Sequence, residues 1–155
     1  MKRICMLLAL LVCATLAFTA LAVDAAPGDT VTVPVSICSQ NKVTGATLTV
    51  NYDSSVLELV ESSTDYGIAG GATFTLFTFK GTIPDGQIGT VTFKVKDTAK
   101  SGTYVVSVTV NAASDFDENL ISASASAGSI TVVADCAHDK TEEKVIKKAD
   151  CEKTG

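Results

Sequence analysis

Hydrophobic and polar residues alternate through the central part of the chain, most clearly in residues 45–52. Apolar side chains recur there at every second position from Ala46 onward, and small or polar residues fill the positions between them. This period is typical of a β-strand with one buried and one exposed face. The short polar residues 53–55 then favour a turn, and a second apolar run follows over residues 56–60. The stretch therefore predicts two antiparallel strands joined by a polar corner.

The same alternation predicts further strands on both sides of this pair. They are expected over residues 30–37, 73–80, 88–96, 104–110, 120–126 and 129–133. Turn-forming residues separate many of them, as in Pro84-Asp85-Gly86, and the glycine-containing stretch 67–71 is expected to be a loop. No segment of this region has helical periodicity. We therefore expect an all-β protein, an antiparallel β-sandwich with jelly-roll topology and eight or nine strands.

The inward positions of these strands define a candidate core. We expect the following side chains to be buried together: Leu48, Val50, Tyr52, Leu57, Leu59, Phe93, Val95, Val106, Val108 and Ile130. The strand over residues 73–80 is ambiguous, because its apolar residues occur at both even and odd positions.

The first 22 residues are typical of a secretory signal peptide. Lys2 and Arg3 precede the apolar run 4–12, and small residues follow. The run is short for a membrane span, which needs about 20 apolar residues. Cleavage after Ala22 fits the small-x-small rule best, and cleavage after Ala25 or after Ala17 is also compatible with it. We therefore divide the chain into a signal peptide (1–22), a β-sandwich domain (23–135) and a charged tail (136–155), and expect a secreted or cell-surface protein.

The charge of the chain argues against nucleic acid and anionic membranes as partners. The net charge is −5, and removal of Lys2 and Arg3 with the signal peptide makes it −7. Residues 29–135 hold five lysines and eleven acidic residues. Binding to nucleic acid or to anionic lipid requires a basic surface, so we expect no nucleic-acid partner and no membrane contact beyond the signal peptide.

Three cysteines remain after removal of the signal peptide: Cys38, Cys136 and Cys151. They allow one disulfide and one free thiol. The simplest pairing is Cys136 with Cys151, which closes a short loop. Cys38 follows the apolar positions of a predicted strand, and we interpret it as a small buried hydrophobic residue.

No constellation in the domain indicates catalysis or a resident metal. Residues 115–119 begin like a calcium loop, but the sixth position is Leu120 where such a loop needs glycine, and the twelfth is Ser126 where it needs glutamate. We interpret this stretch as an acidic turn. The only histidine, His138, lies in the tail, so no Ser-His or Cys-His pair forms within the sandwich. We expect no enzyme activity, no metal and no cofactor.

Several of these segments resemble cohesin domains, the receptor modules of cellulosome scaffolds. Tyr52-Asp53 followed by residues 56–60 resembles the corner that this family carries between two strands. The stretches 26–35, 89–96, 99–104 and 128–132 resemble other segments of the family in the same order. The resemblance implies a jelly roll whose first and last strands pair with each other. That first strand is expected near residues 18–26, where it overlaps the predicted signal peptide.

The resemblance implies capture of a dockerin, a small helical module carried by enzymes that degrade polysaccharides. Cohesins bind it on one sheet, with Asn and Asp at the positions occupied here by Gly45 and Thr47. Alternation predicts further outward residues on the same sheet, and Leu76 is the one apolar side chain among them. We expect the chain termini to cover the opposite sheet. The candidate partner-binding residues are Gly45, Thr47, Thr49, Leu76, Thr78, Lys80, Ser107 and Thr109.

Two other functions share the predicted fold. A structural spacer or adhesion module of a bacterial surface protein would show a uniformly polar sheet. A carbohydrate-binding module is the weaker alternative, because only Tyr66 among the three tyrosines avoids the core-facing positions and there is no tryptophan. The tail 136–155 resembles the first half of a Cys-rich repeat of bacterial surface proteins. The later cysteines of that repeat do not occur in this sequence.

Overall fold

The computed structural model describes residues 21–40 and 42–133. Within these ranges the chain forms eleven strand segments and no α-helix. They are β1 Ala22–Ala25, β2 Thr30–Cys38, β3 Gly45–Asn51, β4 Leu57–Thr64, β5 Gly67–Gly70, β6 Thr73–Phe77, β7 Gly86–Val95, β8 Gly102–Val105, β9 Ser107–Ser114, β10 Ser124–Ser126 and β11 Ser129–Val132. No described segment is a helix long and apolar enough to cross a membrane. The all-β prediction is confirmed.

The strands form three sheets. The front sheet has the order β5-β6-β3-β9, the back sheet the order β10-β2-β7-β4, and a three-stranded closing sheet the order β1-β11-β8. Strand β1 pairs in parallel with β11, with Val23 opposite Ile130, and every other named pair is antiparallel. The expected pairing of the first and last strands is confirmed.

The segments outnumber the eight or nine predicted strands for two local reasons. The stretch predicted as a glycine loop contains β5, which pairs with β6. The predicted strand 104–110 is divided at Val106, which is buried and donates its N–H to the Gly128 carbonyl oxygen at 2.9 Å. At Val106 the chain passes from the closing sheet into the front sheet, so one run of alternating sequence serves two sheets.

The polar corner between β3 and β4 forms as predicted and carries the chain from the front sheet to the back sheet. Asp53 Oδ1 accepts the Ser55 N–H at 2.9 Å, and the Asp53 carbonyl oxygen accepts the Leu57 N–H at 2.9 Å. Hydrogen bonds from the Ser55 hydroxyl and backbone lower the pKa of Asp53 below its usual value. The carboxylate form is therefore the one that holds the corner.

The core lies between the sheets and contains the predicted side chains. Most of them are fully buried, and Tyr52, Leu59 and Val108 are half-buried against the others. The Tyr52 ring lies 4.9 Å from the Phe93 ring, which joins the front sheet to the back sheet. Other buried apolar residues are Val33, Val35, Ile37, Val43, Phe74, Leu76, Ile83, Ile88 and Val91. The alternating pattern therefore identifies the inward side correctly in β3, β7 and β11.

Cys38, at the end of β2, is buried as expected but is disulfide-bonded rather than free. Its sulfur lies 3.8 Å from Asp85 Oδ2, a contact and not a hydrogen bond, since a disulfide sulfur has no proton to donate. Asp85 Oδ1 accepts the Ser39 N–H at 2.7 Å. The partner of Cys38 and the predicted Cys136–Cys151 pair lie outside the described residues.

The outward face of the back sheet is exposed, not covered. Thr30, Thr32 and Lys94 all face solvent within the described part of the chain. The expectation that the termini would cover this sheet is wrong for that part, because β1 and β11 belong to the separate closing sheet. As far as residues 21–40 and 42–133 are concerned, both broad faces of the sandwich are therefore open to a partner, and their chemistry distinguishes them.

Candidate functional site

Strand pairing arranges the outward residues of the front sheet in four rows, which we call the front face. The rows are defined by the pairing of β5 with β6, β6 with β3, β3 with β9, and Ser114 with Leu120. The first row is Phe77, Gly45, Ser114 and Leu120; the second is Ile68, Thr75, Thr47 and Ala112; the third is Gly70, Thr73, Thr49 and Thr109; and the fourth is Asn51 and Ser107.

Five predicted site residues lie on this face: Gly45, Thr47, Thr49, Ser107 and Thr109. The prediction for Leu76 is wrong, since only 2% of its surface is exposed. Thr75 pairs with Thr47 and Phe77 pairs with Gly45, so the odd-numbered residues of β6 face outward and Leu76 enters the core. The apolar side chain that β6 presents to solvent is Phe77, which is 41% exposed.

Thr78 and Lys80 do not belong to the face, which corrects their assignment as well. β6 ends at Phe77, and the chain turns at once. Thr78 donates its N–H to the Thr44 carbonyl oxygen at 2.9 Å and its hydroxyl to the Lys80 carbonyl oxygen at 2.9 Å. These bonds fold residues 78–80 into a bend beside the end of the strand.

One end of the front face is polar and ordered by side-chain amides. Asn51 Nδ2 donates to Thr109 Oγ1 at 2.9 Å, and Asn111 Nδ2 donates to Thr49 Oγ1 at 2.8 Å. Asn111 reaches this face through a β-bulge, because the pairing of β3 with β9 shifts register there. The alternation singles out neither asparagine, because Asn51 occupies an ordinary outward strand position and a bulge leaves no mark in the pattern.

The other end is apolar. Ile68 is 63% exposed, Phe77 is 41% exposed and Leu120 is 83% exposed. The Phe79 ring lies 5.6 Å from the Phe77 ring and extends this surface beyond β6. Sequence analysis missed these residues because Ile68 lies in a stretch predicted as a loop and Phe77 was placed on the inward side. The expectation of one outward apolar residue is replaced by an apolar cluster that excludes Leu76.

A depression lies in the middle of the apolar end. It has a volume of about 280 Å³, and its rim residues include Gly45, Thr47, Thr75, Ala112, Ser114 and Leu120. Gly45 has no side chain to fill it, and an added Cβ there would lie 3.3 Å from Ser114 Oγ. The depression therefore exists because small residues stand on β3 and β9 beside the larger Leu120.

The turn at residues 115–119 forms the end of the sheet beside Leu120. Asp115 Oδ1 accepts the N–H groups of Asp117 at 3.0 Å and Asn119 at 2.9 Å. Desolvation raises the pKa of Asp115, but the hydrogen bonds from Asn119 and Asp117 outweigh it, and the pKa is lowered overall. Among residues 21–40 and 42–133, no three His, Cys, Asp or Glu side chains are grouped to hold a metal. The interpretation as an acidic turn fits this geometry.

The side chain that a sugar site was expected to use, Tyr66, is half-buried and packs against the core. A nearby polar cavity of about 310 Å³ is lined by residues that include Thr64, Asp65 and Gln87, and Tyr66 does not line it. The Tyr66 ring therefore contributes to core packing, which reduces the aromatic surface that it offers to a sugar.

The family model named cohesin domain matches residues 16–132 of this chain. The chain belongs to the cohesin family. Cellulose-binding protein A of Clostridium cellulovorans is 38% identical to it over 100 residues, which cover 52% of this chain. The matched region is only 5% of that relative's length. The resemblance found in the sequence is therefore confirmed for the sandwich domain. The Cys-rich repeat proposed for the tail lies outside the described residues and stays a prediction.

Solved cohesins share the fold. A complex of a CaDoc0917 variant with CaCohA2, a cohesin from Clostridium acetobutylicum, matches with a TM-score of 0.61 and 24% identity over 72% of this chain and 95% of that one. The Coh-OlpA–Doc918 complex of Clostridium thermocellum matches with a TM-score of 0.58 and 20% identity, covering 72% and 94%. A non-cellulosomal cohesin of Archaeoglobus fulgidus matches with a TM-score of 0.56 and 23% identity, covering 72% and 86%.

Proposed function

We propose that this cohesin domain is a non-catalytic docking module that binds a dockerin-type helical partner on its front face. The observation that carries the proposal is the chemistry of that face. An apolar cluster of Ile68, Phe77 and Leu120 adjoins an ordered polar area around Asn51 and Asn111. Protein interfaces combine a few apolar anchors with polar surroundings. Solved relatives of the same fold are complexes of a cohesin with a dockerin.

The apolar cluster also favours docking over the spacer alternative. A spacer needs no exposed apolar surface, and such surface carries a risk of aggregation unless a partner covers it. Ile68 and Phe77 lie on paired strands, on the same side of the sheet and near Leu120. Their grouping on one side of the sheet is what a docking surface requires and a spacer does not.

Export is part of the proposal. The predicted signal peptide would direct the domain to the outside of a bacterial cell, as a secreted or surface component of a cellulosome-like system for polysaccharide degradation. Strand β1 begins at Ala22, and the Leu21 carbonyl oxygen accepts the Ser129 N–H at 3.1 Å. Cleavage after Ala17 would keep both, whereas cleavage after Ala22 would remove the first residue of β1. The earlier cut therefore preserves the closing sheet best.

The proposal is tested by a matched pair of charge substitutions. Thr47→Arg places a cation in the centre of the front face, and Thr32→Arg places one on the exposed back sheet. The probe is a phage-displayed library built on the CaDoc0917 dockerin with its exposed positions randomised. We expect selected binders to lose about a hundredfold in affinity for Thr47→Arg, because an unpaired charge would be buried, and to bind Thr32→Arg as they bind the wild type.

Isothermal titration calorimetry measures both affinities. Circular dichroism checks that the two variants are folded. If no binder can be selected, or if every binder ignores Thr47→Arg, this domain does not dock a dockerin-type partner through its front face.

A further inference from the structure

We infer that the depression at Gly45 receives one aliphatic side chain, of leucine or methionine size, from a helix of the docked partner. The inference rests on the proposed docking function and adds to it the position and chemistry of the partner's central anchor. Among residues 21–40 and 42–133 no side chain fills this position, since Gly45 lies on β3 between Phe77 and Ser114.

The width of the face fits a helix. Phe77 on β6 and Leu120, which pairs with Ser114 of β9, are three inter-strand spacings of about 4.8 Å apart, or about 14 Å. A helix with its side chains is about 10–12 Å across. Phe77 on one side and Leu120 on the other rise above the small residues between them. A helix seated over β3 would therefore lie between two apolar walls.

The depression is large enough to admit an aliphatic side chain. Its volume is about 280 Å³, far larger than the roughly 30 Å³ of one water molecule. A side chain inserted from above would displace water from the apolar part of its lining.

The lining selects for an uncharged aliphatic group. The four rows, all within the described ranges, contain no charged side chain. The nearest carboxylate along the chain, Asp115, already accepts hydrogen bonds from the N–H groups of Asp117 and Asn119 and from the Asn119 side-chain amide within its turn. A charged partner side chain would lose water without gaining a counter-charge. Leu120, by contrast, lines the depression with an apolar side chain, and Phe77 lies opposite Gly45 on the neighbouring strand.

The backbone conformation of Gly45 allows a larger side chain there, which would fill the depression. Gly45 is not among the residues with positive φ, so a larger residue meets no backbone strain. An added Cβ has ordinary contact with the Leu76 carbonyl oxygen at 3.7 Å and a closer one with Ser114 Oγ at 3.3 Å. Gly45→Leu should therefore fold and fill the space from β3, and Ala112→Leu should fill it from β9.

The test enlarges a residue of the domain and shortens the matching residue of a binder selected from the CaDoc0917 library described above. Alanine scanning of each binder first identifies the position at which alanine lowers the affinity for the wild-type domain most. We expect that position to hold an aliphatic residue. Gly45→Leu should weaken the original binder about tenfold or more, and the binder with alanine at that position should regain most of the loss on Gly45→Leu.

The exchange separates this inference from the docking function. Binders that are sensitive to Thr47→Arg would support docking on the front face. If Gly45→Leu and Ala112→Leu then change the affinity of the original binder and of its alanine variant by the same factor, docking stands but the side-chain pocket is refuted. A charged residue at the most costly binder position refutes it too. Sedimentation of the domain alone tests the other occupant: a dimer that Gly45→Leu dissociates would mean that a second copy fills the depression, and would overturn the inference.

Discussion

The two broad faces of this sandwich are built from the same alternating pattern and differ in what stands at the outward positions. Paired rows on the back sheet join Thr30, Lys94 and Glu58, and then Thr32, Thr92 and Glu61. The front face has no charged residue in its four rows and has apolar side chains at one end. The alternating period therefore specifies that each sheet has one buried and one exposed face. The residues at the exposed positions specify which of the two sheets is suited to a partner.

β-Bulges occur in both broad sheets, and each one brings a different kind of side chain to the surface. On the back sheet the pairing of β4 with β7 shifts register between Leu59 and Glu61, and Val60 is left 58% exposed. On the front sheet the shift in β9 brings Asn111 to Thr49. A single exposed valine among charged neighbours is ordinary surface. An ordered amide beside an apolar cluster provides the polar part of an interface.

The largest predicted effect separates the inward and outward sides of β3. Leu48 is fully buried, and truncation to alanine removes core packing and leaves a cavity, so Leu48→Ala should lower the free energy of unfolding by about 2–5 kcal/mol. Its neighbour Thr47 faces outward, and Thr47→Ala should change the free energy of unfolding by less than about 1 kcal/mol. Urea denaturation of both variants measures the difference.

Equal losses for the two variants would mean that β3 does not have one buried and one exposed side. A loss for Leu48→Ala below the low end of the range would place Leu48 at the surface and shift the register of the strand by one residue.

A smaller effect should distinguish the exposed apolar residues of the two faces. Phe77→Ser removes one apolar wall of the front face and should weaken a selected dockerin binder about tenfold. Val60→Ser removes the exposed valine of the back sheet and should leave the affinity unchanged. Phe77 is 41% exposed and Val60 is 58% exposed, so Phe77→Ser buries less apolar surface than the wild type and should lower the free energy of unfolding more than Val60→Ser does.

Surface plasmon resonance with the same binder compares the two variants directly. A weaker affinity for Val60→Ser than for Phe77→Ser would reverse the roles of the faces.

Much of the fold could be predicted because its main strands are half-buried. In β3 one side meets the core and the other meets water, so hydrophobicity alternates and identifies the buried residues. β6 shows no such contrast, because Phe74 and Leu76 are inward while Phe77 faces out. Which phase is buried depends there on the pairing of Thr75 with Thr47, a contact between distant segments that local pattern does not encode.

The site was predictable only where it follows the strand period. Thr47, Thr49 and Thr109 were placed on the correct face because alternation fixes their side. Leu120 was not, because its position depends on the turn at residues 115–119, which returns the chain to pair with Ser114. Ile68 was missed because the short strand β5 lies between glycines, and Gly67 adopts a positive φ of 150°, which is more typical of a loop.

We propose that the front face, and not the back face, binds the partner. Backbone amide chemical-shift mapping of the isotope-labelled chain, titrated with an unlabelled selected dockerin, tests this proposal. We predict that the largest shifts fall on Gly45, Thr47, Thr75, Phe77 and Ser114, while Thr32, Thr92 and Lys94 stay unchanged. Shifts that cluster instead on Thr32, Thr92 and Lys94 would contradict the account.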